Sequence, residues 1–141
     1  MKNLMWFRGD LRLDDNPALK ACCENAEKVQ AIFIYSEKQL NLHHEANIKV
    51  DFLLKNLFLL EEKLTLLNIP LTIIKSNGFK EDPLLVADIA KKRNIDTVFW
   101  NKQFGEDEAC RDSEVCDELR AISINHSSFH DQVVYEPGSL K

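Results

Sequence analysis

Residues 5–19, MWFRGDLRLDDNPAL, hold the clearest secondary-structure signals in the chain. Met5-Trp6-Phe7 continues an apolar run that begins at Leu4, short enough to be a buried strand. Asn16-Pro17 carries a helix-start signal, an N-cap residue followed by proline at the first helical position. Between them lie Arg8, Asp10, Arg12, Asp14 and Asp15, more charge than a short connecting loop needs. The stretch is therefore a strand, a charged loop and a helix.

The rest of the chain repeats that alternation. Further apolar runs fall at residues 29–35 (VQAIFIY), 71–74 (LTII), 97–100 (TVFW) and, most weakly, 122–129 (ISINHSSF). Stretches with helical spacing separate them. Strand and helix in alternation predict an α/β domain, a Rossmann-like, doubly wound five-stranded parallel sheet with helices on both faces. Nearly continuous apolar strands suit a sheet covered on both sides. Asp82-Pro83 repeats the helix-start device of Asn16-Pro17. Glu106, Asp107 and Glu108 crowd the first turn of the helix after Trp100, where the helix dipole favours negative charge. Val115, Cys116, Leu119 and Ile122 give that helix one apolar face.

The longest helix is expected over residues 46–67. Leu53, Leu57, Leu60, Leu64 and Leu67 form one stripe, and Phe52, Leu59 and Leu66 form a second beside it. That is wider than one sheet face needs. Either the chain's own tail covers the second stripe, or it is a docking surface for another domain.

Composition sets the frame. At 141 residues, 45% hydrophobic and 29% charged, the chain fits one soluble domain with a sizeable core. A net charge of −5 argues against strong duplex-DNA binding by this domain alone, since such binding neutralises phosphates. There is no apolar run of membrane-spanning length and no signal-peptide pattern at the N-terminus, so a cytoplasmic protein without membrane partners is expected. Cys22, Cys23, Cys110 and Cys116 form no C-x-x-C pair and have no histidine at zinc spacing. Free and mostly buried thiols are expected, and no metal site.

In an open parallel sheet, ligands bind beyond the carboxyl ends of the strands. Five loops converge there. The first holds Arg8, Gly9, Asp10 and Arg12, and the second Ser36 to Gln39 with His43 and His44. The third holds Ser76, Asn77 and Gly78, and the fourth Asn101, Lys102, Gln103, Gly105, Asp107 and Glu108. The fifth holds His130 and Asp131. This edge is rich in hydrogen-bonding groups and poor in phosphate machinery. Neither G-x-G-x-x-G nor G-x-x-x-x-G-K-[ST] occurs, and G-x-S-x-G is also missing. The residues point to a small, hydrogen-bonding ligand not led by phosphate, and they supply no reaction. Arg8, Asp10 and Arg12 are expected to pair with each other and with the fourth loop at Asn101, shaping a crevice rather than acting on a substrate.

The stretch WFRGDLRLDDNPAL, residues 6–19, closely resembles the N-terminal signature of the DNA photolyase/cryptochrome family, W-F-R-x-D-L-R-x-x-D-N-x-A-L. Residues 52–74, 98–119 (with Arg111-Asp112) and 129–140 resemble the family's second helix and third strand, its fourth strand and following helix, and the stretch that closes its N-terminal domain. The resemblance implies an N-terminal α/β antenna domain over residues 1–131 and the start of an interdomain linker over 132–141. The FAD-binding helical domain is expected to be absent from this sequence, as in an excised domain or truncated product. It implies a light-harvesting domain of a deoxyribodipyrimidine photolyase, with DNA contacted mainly through the helical domain and no catalytic residue here. The alternatives are the same domain of a cryptochrome-like photoreceptor, or a stand-alone small-ligand or interaction module.

The implied antenna pigment is methenyltetrahydrofolate, or alternatively 8-hydroxy-5-deazaflavin or another flavin. By resemblance, His43 matches a pterin-contacting histidine. Asp107 and Glu108 stand where folate-binding members carry Asn-Glu against the pterin ring. Glu108 matches. Asp107 departs, and the change matters because an amide donates and accepts while a carboxylate only accepts. Asp14 departs from a common histidine, and Gly9 from a longer side chain.

Overall fold

The computed structural model describes residues 1–8, 10–24, 26–36, 46–76, 81–103 and 105–130, with the side chains of 46–50 and of 107 outside that description. Five strands and four helices alternate: β1 (Lys2–Phe7), α1 (Pro17–Cys23), β2 (Lys28–Ser36), α2 (Ala46–Leu66), β3 (Leu71–Ser76), α3 (Asp82–Lys92), β4 (Thr97–Asn101), α4 (Glu106–Ala121) and β5 (Asn125–Phe129). The strands form one parallel sheet in the order β3-β2-β1-β4-β5. The chain moves outward from β1 to β3, then crosses back to β4. The order reverses between β1 and β4, the switch point where open α/β sheets form their crevice.

The period-two alternation of each strand builds two cores. Met5, Phe7, Ala31 and Phe33 pack with Leu19 of α1 and Leu57, Leu60 and Leu64 of α2 on one face. Leu4, Trp6, Ile32, Val98 and Trp100 pack with Val86 and Ala90 of α3 and Val115 and Leu119 of α4 on the other. Full burial of a large apolar side chain is worth roughly 1.5–3 kcal/mol, so the central strand β1, buried from Asn3 to Phe7, anchors both layers.

Three helices end in the same way. Asn68, Asn94 and Ser123 adopt positive φ of 61°, 55° and 60° after α2, α3 and α4. The next residue's amide then donates back five positions: Ile69 to Leu64, Ile95 to Ala90 and Ile124 to Leu119, each at 2.9 Å. This is the Schellman arrangement, and in each case the isoleucine packs toward the core it re-enters.

The structure corrects four expectations. The fifth strand is Asn125–Phe129, because Ile122 ends α4 and Ser123 takes the left-handed turn. Asp82 does not cap α3: Glu81 stands at the cap position without a side-chain capping bond, and Asp82 is buried inside the first turn. The cysteines are free, but only Cys22 is buried; Cys116 is half-buried, and Cys23 and Cys110 are exposed. Finally, the apolar character fails at the sheet's rim, where β5 is NHSSF and β3 is half-exposed. Of the first stripe, Leu57, Leu60 and Leu64 are inside and Leu53 is half-buried, but Leu67, just past the end of α2, is exposed, as are Phe52, Leu59 and Leu66. The tail expected to cover them in one reading lies outside the described residues. Among the described helices, none is long and apolar enough to cross a membrane.

Candidate functional site

The first loop and the end of β4 are joined at the switch point by a buried polar cluster. Asn101 is its hub. Its Nδ2 donates to Asp10 Oδ2 at 2.5 Å and to Asn16 Oδ1 at 2.7 Å, and its Oδ1 accepts from the Ala18 amide at 3.1 Å. Asn16 caps α1 by accepting from the Leu19 amide at 3.1 Å, as its sequence position predicts. Asn16 Nδ2 also donates to the Arg12 carbonyl at 3.0 Å. Asp10 Oδ1 accepts from the Arg8 amide at 2.8 Å. Asp10, Asn16 and Asn101 are all buried, and their polar atoms are all hydrogen-bonded.

Arg8 leaves this cluster toward the opposite helix layer. Its guanidinium donates to the Asn101 carbonyl and to Asp112 of α4, and stands 4.8 Å from the Trp6 ring centre. Arg111 stands 5.0 Å from the same ring. It donates to Gln103 Oε1 at 2.6 Å and to Asp112 Oδ1 at 3.3 Å. Two guanidiniums thus share one carboxylate and one indole, a cation–π arrangement reinforced by an ion pair. Burial pushes the Arg8 pKa down, and the bond and charge of Asp112 oppose that shift. Arg12 takes another course. It donates to the carbonyls of Asp14 at 3.1 Å and Asp15 at 2.8 Å, closing its own loop. The expected link between the first loop and the fourth is made by Arg8 and Asp10.

Beside this network, at the carboxyl ends of β1 and β2, lies a cavity of about 230 Å³. Trp6, Arg8, Phe33, Ile34, Asp82, Gln103, Glu108 and Arg111 line it. It is smaller than the ~300–1,000 Å³ of drug-sized sites, so it admits a ring rather than a whole cofactor. Two buried polar atoms on its lining residues, Arg8 Nε and Asp82 Oδ1, have no hydrogen-bond partner among the described residues. Burial raises the Asp82 pKa, against a hydrogen bond with Ser76 and the positive charge of Arg111. Glu108 is the third residue of α4, and its carboxylate folds back over Gly105, where any Cβ would collide with it.

Two larger hollows, of about 620 and 900 Å³, lie elsewhere. One runs along α1 from Asp14 to Cys23 and His130; the other lies at the amino edge, around Lys28 to Gln30 and Asn68 to Pro70. Neither has a lining residue with an unpartnered buried polar atom among the described residues. The smaller cavity has both the position and the chemistry of a site.

Of the residues singled out in the sequence, Arg8, Asp10 and Asn101 come together at the switch point, and Glu108 lines the cavity beside Arg8. Arg12 bonds to the Asp14 and Asp15 carbonyls of its own loop. His43 lies outside the described residues, as does the side chain of Asp107, although the Asp107 backbone belongs to α4. Gln103, placed on this edge by the sequence, also lines the cavity, while sequence reasoning missed Asp82 and Arg111 as lining residues. Arg111 had a readable signal: with Val115, Leu119 and Ile122 it falls on the apolar stripe of α4, an unusual place for a cation. Among the described residues, no three His, Cys, Asp or Glu gather in a group fit to hold a metal ion.

Comparison with known proteins follows the same lines. The family model for DNA photolyase matches residues 3–141. A deoxyribodipyrimidine photo-lyase of Buchnera aphidicola subsp. Baizongia pistaciae is 36% identical over 140 residues, covering 99% of this chain and 29% of the relative. One from Vibrio cholerae is 35% identical over 138 residues, covering 98% and 29%. The chain thus spans about 29% of the length of these curated relatives. The photolyase of Sulfolobus tokodaii, solved with two FAD molecules, shares the fold at a TM-score of 0.83 and 21% identity, over 100% of this chain and 32% of that one. Matched by the family model over nearly every residue, and folded like a solved photolyase, this chain belongs to the DNA photolyase family.

Proposed function

We propose that this chain is the N-terminal, light-harvesting-cofactor-binding domain of a deoxyribodipyrimidine photolyase, an enzyme that repairs cyclobutane pyrimidine dimers in light. The observation that carries the reading is the cavity at the carboxyl edge, where Glu108 and Arg8 line one ring-sized space. Splitting of the dimer belongs to the FAD-bearing helical domain that the family resemblance implies, and this domain's task is binding.

The pigment proposed is methenyltetrahydrofolate. The pyrimidine edge of its pterin is bordered by donors and acceptors, which suits a lining of Glu108, Asp82, Gln103 and Arg8 that has no phosphate machinery. Glu108 as a carboxylate only accepts, which matches the exocyclic amino group of a pterin. A flavin places a carbonyl oxygen at the corresponding ring position. The bound pigment absorbs light and passes the excitation through space. The protein's part is to hold the ring, orient it and keep water from it. Phe33 and Ile34 supply the apolar wall, and the Arg8–Asp112–Arg111 network fixes the floor. His43 and Asp107 are proposed as further contacts, by resemblance.

The test is an absorbance titration of the purified chain with methenyltetrahydrofolate. Saturable binding with a shifted pigment band is expected, weakened by Glu108→Ala. An unshifted, unsaturable spectrum overturns the reading. Light-dependent rescue of a repair-deficient strain by a full-length relative carrying this domain separates photolyase from cryptochrome.

A further inference from the structure

Arg8 Nε and Asp82 Oδ1 are a donor and an acceptor, each buried, each without a partner among the described residues, on side chains that line one cavity. A buried polar group left unmade costs roughly 1–3 kcal/mol, and such atoms are rare in folded proteins. Two of opposite sense at one cavity call for a ligand edge with the converse pattern. Neither residue is there by accident of exposure: Arg8 and Asp82 are 7% and 4% exposed. Each is also held from its far side. Arg8 spends its terminal nitrogens on Asn101 and Asp112, and a hydrogen bond with Ser76 at the end of β3 restrains Asp82.

We propose that Arg8 and Asp82 hold the lactam edge of a flat heterocycle, Arg8 Nε–H donating to the ring carbonyl and Asp82 Oδ1 accepting from the adjacent ring N–H. This deepens the proposed function and rests on its assignment of the cavity as the pigment site. Pterins and flavins share this edge. The inference therefore concerns the shared chemistry, while Glu108 at the rim discriminates between the two rings. Asp82 is a binding contact common to both rings, and Ser76 is a positioning residue that acts through it. Burial raises the Asp82 pKa, and a ring N–H bonded to the carboxylate favours its charged form. Ligand binding therefore lowers that pKa and releases a proton where the free chain holds one.

The experiment titrates the full 141-residue chain with pterin and, separately, with lumiflavin, following ring absorbance and quenching of the tryptophan fluorescence, since Trp6 lines the cavity. Asp82→Ala is expected to weaken whichever ring binds by roughly tenfold or more, as loss of a hydrogen bond to a charged group implies. Ser76→Ala is expected to weaken it less, and Asp88→Asn, on the exposed side of α3, to change nothing. A ligand-side arm needs no variant: 3-methyllumiflavin, which lacks the ring N–H, is expected to bind at least roughly tenfold more weakly than lumiflavin. The arms also identify the source, since each ring is measured alone. If a ring binds the wild type but neither Asp82→Ala nor ring methylation weakens it, water satisfies the two atoms and this inference falls, while the pigment site stands. If neither ring binds the wild type, the pigment site falls with it.

Discussion

The two sides of Arg8 are built from the same charged loop and have opposite characters. On the α1 side, the side chains of Asp10, Asn16 and Asn101 are fully hydrogen-bonded, to one another and to nearby backbone groups. On the α4 side, Arg8 and Asp82 each keep one buried polar atom unmade, next to a ring-sized space. Saturated polar clusters fix geometry, and incompletely satisfied ones wait for a partner. Five charges crowd the first loop because it does both jobs, tying the switch point on one side and presenting a site on the other.

Substitutions can break that contrast. The largest effect is expected for Asp112→Ala, which leaves the Arg8 and Arg111 guanidiniums without their shared carboxylate. Removing one partner of a buried pair costs about 3–5 kcal/mol, read as a lower urea midpoint. Asn101→Ala comes next, at about 2–3 kcal/mol, since it strands buried partners in Asp10 and Asn16. If Asn101→Ala proves neutral, the α1 side is not the scaffold described.

Asp82→Asn is smaller and depends on pH. The raised pKa means that the native state holds a proton which the unfolded chain releases earlier. Stability is therefore lost as pH rises from the usual carboxylate range through the raised value. Asn does not titrate, so the melting temperature of the variant is expected to gain on wild type across that window. A constant difference from acid to neutral pH contradicts the assignment.

Gly105→Ala is expected to be nearly silent in stability, within about 0.5 kcal/mol, because its φ of 175° is extended backbone that alanine adopts freely. It nevertheless displaces the Glu108 carboxylate. Pterin affinity is expected to fall by roughly tenfold, while lumiflavin affinity is unchanged. Equal affinity for pterin in both proteins means that Glu108 makes no contact with the ring.

Much of this was legible beforehand, and the exceptions have physical causes. Strands one to four and their helices follow from local apolar runs and from caps such as Asn16-Pro17. The fifth strand was drawn too long because Ile122 and Ile124 look β-like, while Ser123 takes a left-handed turn that no glycine or asparagine announces. Asp82-Pro83 has the same local signature as Asn16-Pro17, but Asp82 is claimed by Ser76 from a neighbouring strand, a contact invisible in sequence. Strand order and the meeting of Arg8 with Arg111 are set by long-range pairing. For Arg111 the only local hint was a cation on an apolar stripe.

The central claim is that pigment binds at the carboxyl edge and in neither of the larger hollows. A titration of methenyltetrahydrofolate compares wild type with Glu108→Ala in the small cavity and Lys20→Ala in the hollow along α1. Binding by wild type and Lys20→Ala alike is expected, with affinity reduced roughly tenfold in Glu108→Ala. Binding that survives Glu108→Ala and is lost in Lys20→Ala contradicts the claim.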